Sequence, residues 1–161
     1  MAAATQCPLD NVKTTWPIIY KVAKKWGFDS RNNLVGLLGT FAKETASTML
    51  PVREAFWTSE AWRKANLTRY YPYYGRGFIQ LTWLSNYERL RDQTGIDVVS
   101  NPDLLVDNVE LAAESAMVYW RDRTIGPQAE LKNWDEVRKR VYGGSDPDGV
   151  ARIKRIDSML A

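Results

Sequence analysis

Between residues 34 and 45, Leu34, Leu37, Leu38, Phe41 and Thr45 fall at i, i+3, i+4, i+7 and i+11, the spacing of one face of an α-helix. Two glycines, Gly36 and Gly39, interrupt that stretch. A glycine in mid-helix weakens it by roughly 1 kcal/mol relative to alanine, so two of them point to close packing there. The spacing predicts a helix over about 30–45 that forms a main wall of the core. Lys43 points away from the apolar stripe, and Glu44 lies on its edge, beside Leu37 and Thr40 in projection.

The rest of the chain reads as further helices around that one. A helix is expected over about 15–26, with Pro17 in its first turn, Ile18, Ile19, Val22, Ala23 and Trp26 on one face, and Gly27 as its stop. Residues 46–77 read as irregular and hold Phe56, Trp57, Trp62, Tyr70, Tyr71, Tyr73 and Tyr74. Phe78-Ile79-Gln80-Leu81-Thr82 reads as a short strand or extended piece. Helices follow over about 83–94, ending at Gly95, and over about 108–121. Asn133 with Glu136 starts another that stops at Gly143-Gly144, and the last carries Val150, Ile153, Ile156 and Leu160. Asn101-Pro102 opens a short turn or helix. No repeat or linker divides the 161 residues, so one mainly helical domain with a small extended region is expected.

Two counts narrow the chemistry. The chain has no histidine and one cysteine, Cys7. That excludes Ser-His-Asp and Cys-His nucleophiles, His-ligated zinc and an internal disulfide. An enzyme so composed, with no cofactor or metal expected, works through carboxylates, lysine or tyrosine. No apolar run approaches the roughly 18 residues of a membrane span, so no stable membrane insertion is expected. The start, MAAATQCPLD, has no basic region and no apolar region, so no signal peptide is expected. Charge is blocked along the chain: residues 43–91 carry net +4 and residues 92–131 net −6. The basic block can attract a polyanion, nucleic acid or wall polymer, or be an ordinary solvated surface. No nucleic-acid-binding motif accompanies it, and no nucleic-acid partner is expected.

Glu44 is the most informative carboxylate. On the edge of an apolar face, partial burial favours the protonated form that a general acid needs. The other reading is a helix-end glutamate paired with Lys43 or an arginine. Glu54 follows ten residues later, and two carboxylates across a cleft are the minimal equipment for cleaving a glycosidic bond. The aromatic rings of residues 56–74 can stack on sugars or fill the core. In Tyr74-Gly75-Arg76-Gly77-Phe78-Ile79-Gln80-Leu81-Thr82, alternation puts Gln80 and Thr82 on one side of the extended piece, with Asn86 a helical turn further on. Arg76 reads as a brace of the glycine turn.

Lys43-Glu44-Thr45, Arg53-Glu54, the Tyr-Gly-Arg-Gly-x-x-Gln-Leu-Thr run and Asn86-Tyr87 together resemble glycoside hydrolase family 19, which contains plant chitinases and many bacteriophage endolysins. The resemblance implies a lysozyme-like fold, Glu44 as general acid, Glu54 as the base that activates water in an inverting reaction, and Thr82 as a holder of that water. It implies Gln80 and Asn86 as sugar-binding residues. Tyr74, at the head of the run, is expected to bind substrate beside them. Arg152 matches a late arginine that pairs with the acid. Lys43 stands where many members have histidine, and Tyr142 where the family often has asparagine.

The function expected from these readings is that of an endolysin hydrolysing peptidoglycan glycan strands as a monomer. Synthesis in a bacterial host's reducing cytosol and action at the cell wall are expected with it. The alternatives are a small chitinase, a lytic transglycosylase that needs one carboxylate, a non-catalytic wall-sugar-binding module and a basic nucleic-acid binder.

Overall fold

In the computed structural model, which describes residues 1–161, the chain order is α1 (Ala2–Thr5), α2 (Leu9–Lys25), α3 (Arg31–Glu44), β1 (Val52–Arg53), α4 (Glu60–Asn66), β2 (Arg76–Gly77), α5 (Leu84–Thr94), α6 (Leu104–Asp107), α7 (Val109–Asp122), α8 (Ile125–Glu130), α9 (Trp134–Tyr142) and α10 (Pro147–Met159). Ser30, Ser59, Asn108, Asn133 and Asp146 start α3, α4, α7, α9 and α10, each accepting the N–H of the third residue on. Gly95 and Gly143 follow α5 and α9, where the sequence places their stops.

The glycines of α3 mark its packing. A Cβ on Gly39 would stand 2.9 Å from Ile153 Cα, so α10 lies directly against α3 along this side. A Cβ on Gly36 would stand 3.3 Å from the indole of Trp120 on α7 and 3.4 Å from that of Trp134 on α9. The helix cost of the two glycines is offset by this approach, which buries Leu37, Leu38 and Phe41 completely.

α7 is buried on two sides. Ala112, Ala113, Ala116, Met117 and Trp120 join the main core with α2 and α3, while Leu111 and Val118 close a smaller cluster with Leu81, Tyr87, Leu90, Val98 and Leu105. The sheet is two residues per strand, antiparallel, with Val52 opposite Gly77 and Arg53 opposite Arg76.

Three sequence expectations change here. The helix expected from residue 15 begins at Leu9, so Pro17 sits inside α2 rather than in its first turn. Burial of Val12, Thr15, Ile19, Val22 and Ala23 holds α2 together across the missing proline N–H. Phe78–Thr82 is a turn, not a strand: Arg76 and Leu81 exchange backbone hydrogen bonds at 3.0 and 3.2 Å across it, and Gln80 takes φ 57. A short helix, α4, lies in the stretch that reads as irregular, where crowded aromatics hide it, and α8 lies between two expected helices, where Gly126-Pro127 gives no helical signal. No helix is long and apolar enough to cross a membrane.

Candidate active site

α3 ends at Glu44, a loop leads into β1, and Glu54 follows β1 directly. The two carboxylates thereby reach the walls of one cleft of about 790 Å³. Gln80, Thr82 and Asn86 line the same cleft with Phe56, Trp57, Tyr70, Trp83, Tyr119 and Tyr142. Trp57 is 72% exposed and Tyr142 63%, so flat apolar surface faces the cleft solvent. Of the aromatics in 56–74, Phe56, Trp57 and Tyr70 serve the cleft, while Tyr73 and Tyr74 pack inside.

Glu54 is held on both oxygens. The Tyr70 hydroxyl donates to Oε1 at 2.7 Å and the Gly75 N–H donates to Oε2 at 2.9 Å. Its backbone is pinned too: its N–H donates to the Gly75 carbonyl at 2.7 Å, and Arg63 Nε donates to its carbonyl at 2.9 Å. Burial, then the hydrogen bond to Glu54 and its negative charge, push the Tyr70 hydroxyl up to about 12. Tyr70 therefore stays a proton donor to Glu54 throughout the neutral range. A Cβ on Gly75 would meet the Gln80 amide at 2.8 Å, so a larger residue would push on a side chain that is bonded to the Val52 and Gly77 carbonyls.

Glu44 is half-buried and held by Arg138, whose Nη2 donates to Oε1 at 2.6 Å. The Arg138 side chain is wholly buried and also meets Asp146 Oδ2 through Nε at 2.8 Å and Nη2 at 2.7 Å. Asp146 in turn caps α10. One guanidinium thus ties the end of α3 to α9 and to the start of α10.

The family resemblance assigns that pairing to Arg152, and the structure corrects it. Arg152 Nη1 donates to Ser47 Oγ at 2.7 Å and Nε to Asp148 at 3.2 Å. Arg138 was legible in principle: Trp134, Val137, Arg138 and Val141 fall at i, i+3, i+4 and i+7, an arginine inside an apolar stripe. Lys43 pairs with Asp148 at 2.7 Å, not with Glu44.

Tyr74 also moves. It is 1% exposed, donates to Glu60 Oε2 at 3.0 Å and lies under the Arg76 guanidinium at 3.8 Å from its ring centre, so it is core rather than cleft. Of the tyrosines in the run 70–74, Tyr70 is the one that lines the cleft. Arg76 is a buried brace, bonded to Asp103 at 3.0 Å, to the Pro72 carbonyl at 2.9 Å and to the Tyr87 hydroxyl at 3.1 Å.

Gln80 and Thr82 reach the cleft through the turn, not by strand alternation, and Asn86 reaches it from the first turn of α5. Gln80 Nε2 donates to the carbonyls of Val52 at 3.0 Å and Gly77 at 3.1 Å, tying the turn to β1. Thr82 Oγ1 donates to the Gln80 carbonyl at 2.9 Å, and Asn86 Nδ2 to the Thr82 carbonyl at 2.8 Å. With its proton so engaged, the Thr82 oxygen is left as an acceptor toward the cleft.

Five basic residues, Lys43, Arg53, Arg123, Lys139 and Arg140, line the cleft against two acidic ones, Glu44 and Glu54. Lys43, Arg53 and Arg140 are paired with Asp148, Asp103 and Glu136. Arg123 and Lys139 form no ion pair, and Arg123 lies over the Tyr119 ring at 4.7 Å. The cations come from several segments, so the basic sequence block alone does not make this surface. No group of three or more carboxylates or cysteines is placed to hold a metal ion.

Comparison with known proteins adds the lineage. The chain matches the family 19 glycoside hydrolase model described as chitinase class I over residues 40–138, more than half its length. Chitinase 11 of Oryza sativa subsp. japonica is 47% identical over 49 residues, which cover 30% of this chain and 19% of that protein. A glycosyl hydrolase family 19 domain-containing protein of Haemophilus influenzae is 34% identical over 74 residues, 46% of this chain and 34% of that one. The matched stretches therefore span well under half of these relatives. A bacterial family 19 chitinase of known structure superposes with a TM-score of 0.71 at 20% identity, over 96% of this chain and 87% of that chain. With the family model matched from the last turns of α3 through Arg138, and the mainly α fold shared with a solved member, this chain belongs to glycoside hydrolase family 19.

Proposed function

We propose that the chain hydrolyses the glycan strands of bacterial peptidoglycan at the N-acetylmuramic acid–N-acetylglucosamine β-1,4 bond, as an endolysin of bacteriophage type. The observation that carries this reading is the cleft itself: two separately held carboxylates, an aromatic lining, and two cations, Arg123 and Lys139, with no carboxylate partner. A peptidoglycan strand is anionic through the carboxylates of its peptides and of lactyl arms that carry no peptide, whereas chitin is neutral.

In this mechanism Glu44 gives its proton to the leaving glycosidic oxygen as the bond to the anomeric carbon breaks. A water attacks that carbon from the other face, passing one proton to Glu54. Thr82, an acceptor only, takes a hydrogen bond from the same water. Tyr70 and the Gly75 N–H aim the Glu54 carboxylate, and Arg138 aims Glu44. The product forms with inverted configuration. Cytosolic synthesis followed by action at the wall is part of the proposal, since a fold with one buried free cysteine needs no oxidising compartment.

A chitinase is the second reading. It is favoured by the relatives' names and uses the same two carboxylates. Mass spectrometry of fragments released from purified wall and from a chitin oligomer separates the two. The peptidoglycan reading expects fragments with reducing-end N-acetylmuramic acid and, by NMR of a fresh digest, the inverted anomer. Cleavage of chitin alone would reject it, anhydro-sugar products would indicate a transglycosylase, and the retained anomer would reject Glu54 as base.

A further inference from the structure

A second cavity, of about 240 Å³, opens beside the cleft and shares Asn86, Tyr119 and Arg123 with it. Its inner wall is apolar, made by Leu81, Leu90 and Val118 from the smaller core cluster. Among these stands Ser115, 1% exposed, whose hydroxyl has no hydrogen-bond partner in the protein. A buried hydroxyl without a partner is uncommon and costs its desolvation, so a polar group belongs against it. The cavity's charge is positive. Its one acid, Asp122, is already shared by Arg89 at 2.5 Å and Arg121 at 2.8 Å, while Arg123 is paired with no carboxylate.

A short apolar body, a buried donor and a free guanidinium at the rim together match an alkyl group carrying a carboxylate. Neutral chitin has no such substituent. We infer that this side pocket takes the acidic 3-O-lactyl arm of N-acetylmuramic acid, or the peptide it carries, when a glycan strand lies in the cleft, with the alkyl part against Leu81, Leu90 and Val118 and the carboxylate on Arg123 and the Ser115 hydroxyl. This subsite rests on the peptidoglycan reading and names the group that distinguishes that substrate from chitin.

Binding by NMR tests the pocket without any cleavage. The probes are N-acetylmuramic acid, the same sugar bearing an alanyl-glutamate dipeptide, and N-acetylglucosamine. The expected result is that one or both muramic probes shift the backbone amides of Ser115, Tyr119 and Arg123, with N-acetylglucosamine leaving them in place. The stronger of the two identifies lactyl or peptide carboxylate as the group bound. Arg123→Gln, at an exposed side chain, should weaken that binding about tenfold, as expected for losing a hydrogen bond to a charge. Ser115→Ala removes a hydroxyl that bonds nothing in the protein, so it should weaken binding without lowering the melting temperature. Equal shifts from N-acetylglucosamine, no shifts at these amides, or unchanged affinity in both variants would overturn the pocket. A wall digest that releases no glycan fragments would instead remove the peptidoglycan reading, independently of what the NMR shows.

Discussion

Arg138 Nη2 lies 2.6 Å from Glu44 Oε1, and the guanidinium behind that contact has no exposed surface. It reaches Glu44 from α9 while its other side holds Asp146. Removing either partner should therefore have different effects. Glu44→Gln keeps an acceptor for Arg138 and removes only the acid. It should stay folded by circular dichroism and lose about 10²–10⁴-fold in glycan cleavage. Arg138→Met breaks a buried ion pair, which costs about 3–5 kcal/mol, and should lower the melting temperature by roughly 10 °C together with activity. Cleavage by Glu44→Gln near the wild-type rate would end its assignment as the acid.

Tyr70 and Glu54 give a second pair of readouts. Tyr70→Phe leaves the Gly75 N–H at Oε2 as the donor to the Glu54 carboxylate, which loses its hydroxyl anchor at Oε1. A hydrogen bond to a charged group is worth about 1.5–3 kcal/mol, so turnover should fall about 10-fold or more with the fold retained. The Tyr70 hydroxyl titrates at about 12 against an ordinary 10.0, so the stability it contributes is full below 10.0 and is lost as the pH rises through about 12. Urea melts above pH 10 should therefore be flatter with pH in Tyr70→Phe than in the wild type. An identical alkaline limb would show that Tyr70 is not held in this way.

Asp103 is one contributor to the acid limb. Burial opposes its charge, but hydrogen bonds from Arg53 and Arg76 outweigh that and hold its carboxyl below the ordinary 3.8. The stability from this lowered value is present above 3.8 and is lost as the pH falls through the folded value. Asp103→Asn should lower stability at neutral pH and reduce the loss of stability below pH 4, read by thermal melts across that range. Parallel melting curves for the two proteins would contradict the link.

The unpaired Arg123 and Lys139 predict a salt effect. Attraction between exposed charges fades beyond a Debye length of roughly 8 Å at physiological ionic strength. Lysis of wall should fall with added salt, while cleavage of a neutral chitin oligomer changes much less. Equal salt dependence on both substrates would reject attraction of the anionic strand and leave the two-carboxylate mechanism untouched.

The helix frame was legible where its signals are local. Ser30, Asn133, Gly95 and Gly143 mark ends that sequence alone locates, because caps and stops act within a few residues. Glu44, Glu54, Gln80, Thr82 and Asn86 do share one cleft, as the motif implies. What failed was long-range. Arg138 lies 94 residues from Glu44, and only the packing of α3, α9 and α10 brings them together. Tyr70 and Tyr74 sit in a run with no clear period, so nothing local says which ring faces the cleft. Alternation gave the right wall for Gln80 and Thr82 through the wrong geometry, a turn with Gln80 in the left-handed region.

The close approach of α10 to α3 at Gly39 has a consequence for the order in which the cleft is built. The motif residues from Glu44 to Asn86 leave the ribosome long before Arg138, Asp146 and Ile153 do. A nascent chain therefore carries both carboxylates and the aromatic lining while the helix that bears Glu44 still lacks its packing partner and its guanidinium. Glu44 therefore gains its guanidinium only after α9 and α10 have been made and have docked on α3, so the two sides of the cleft are completed at different stages of folding.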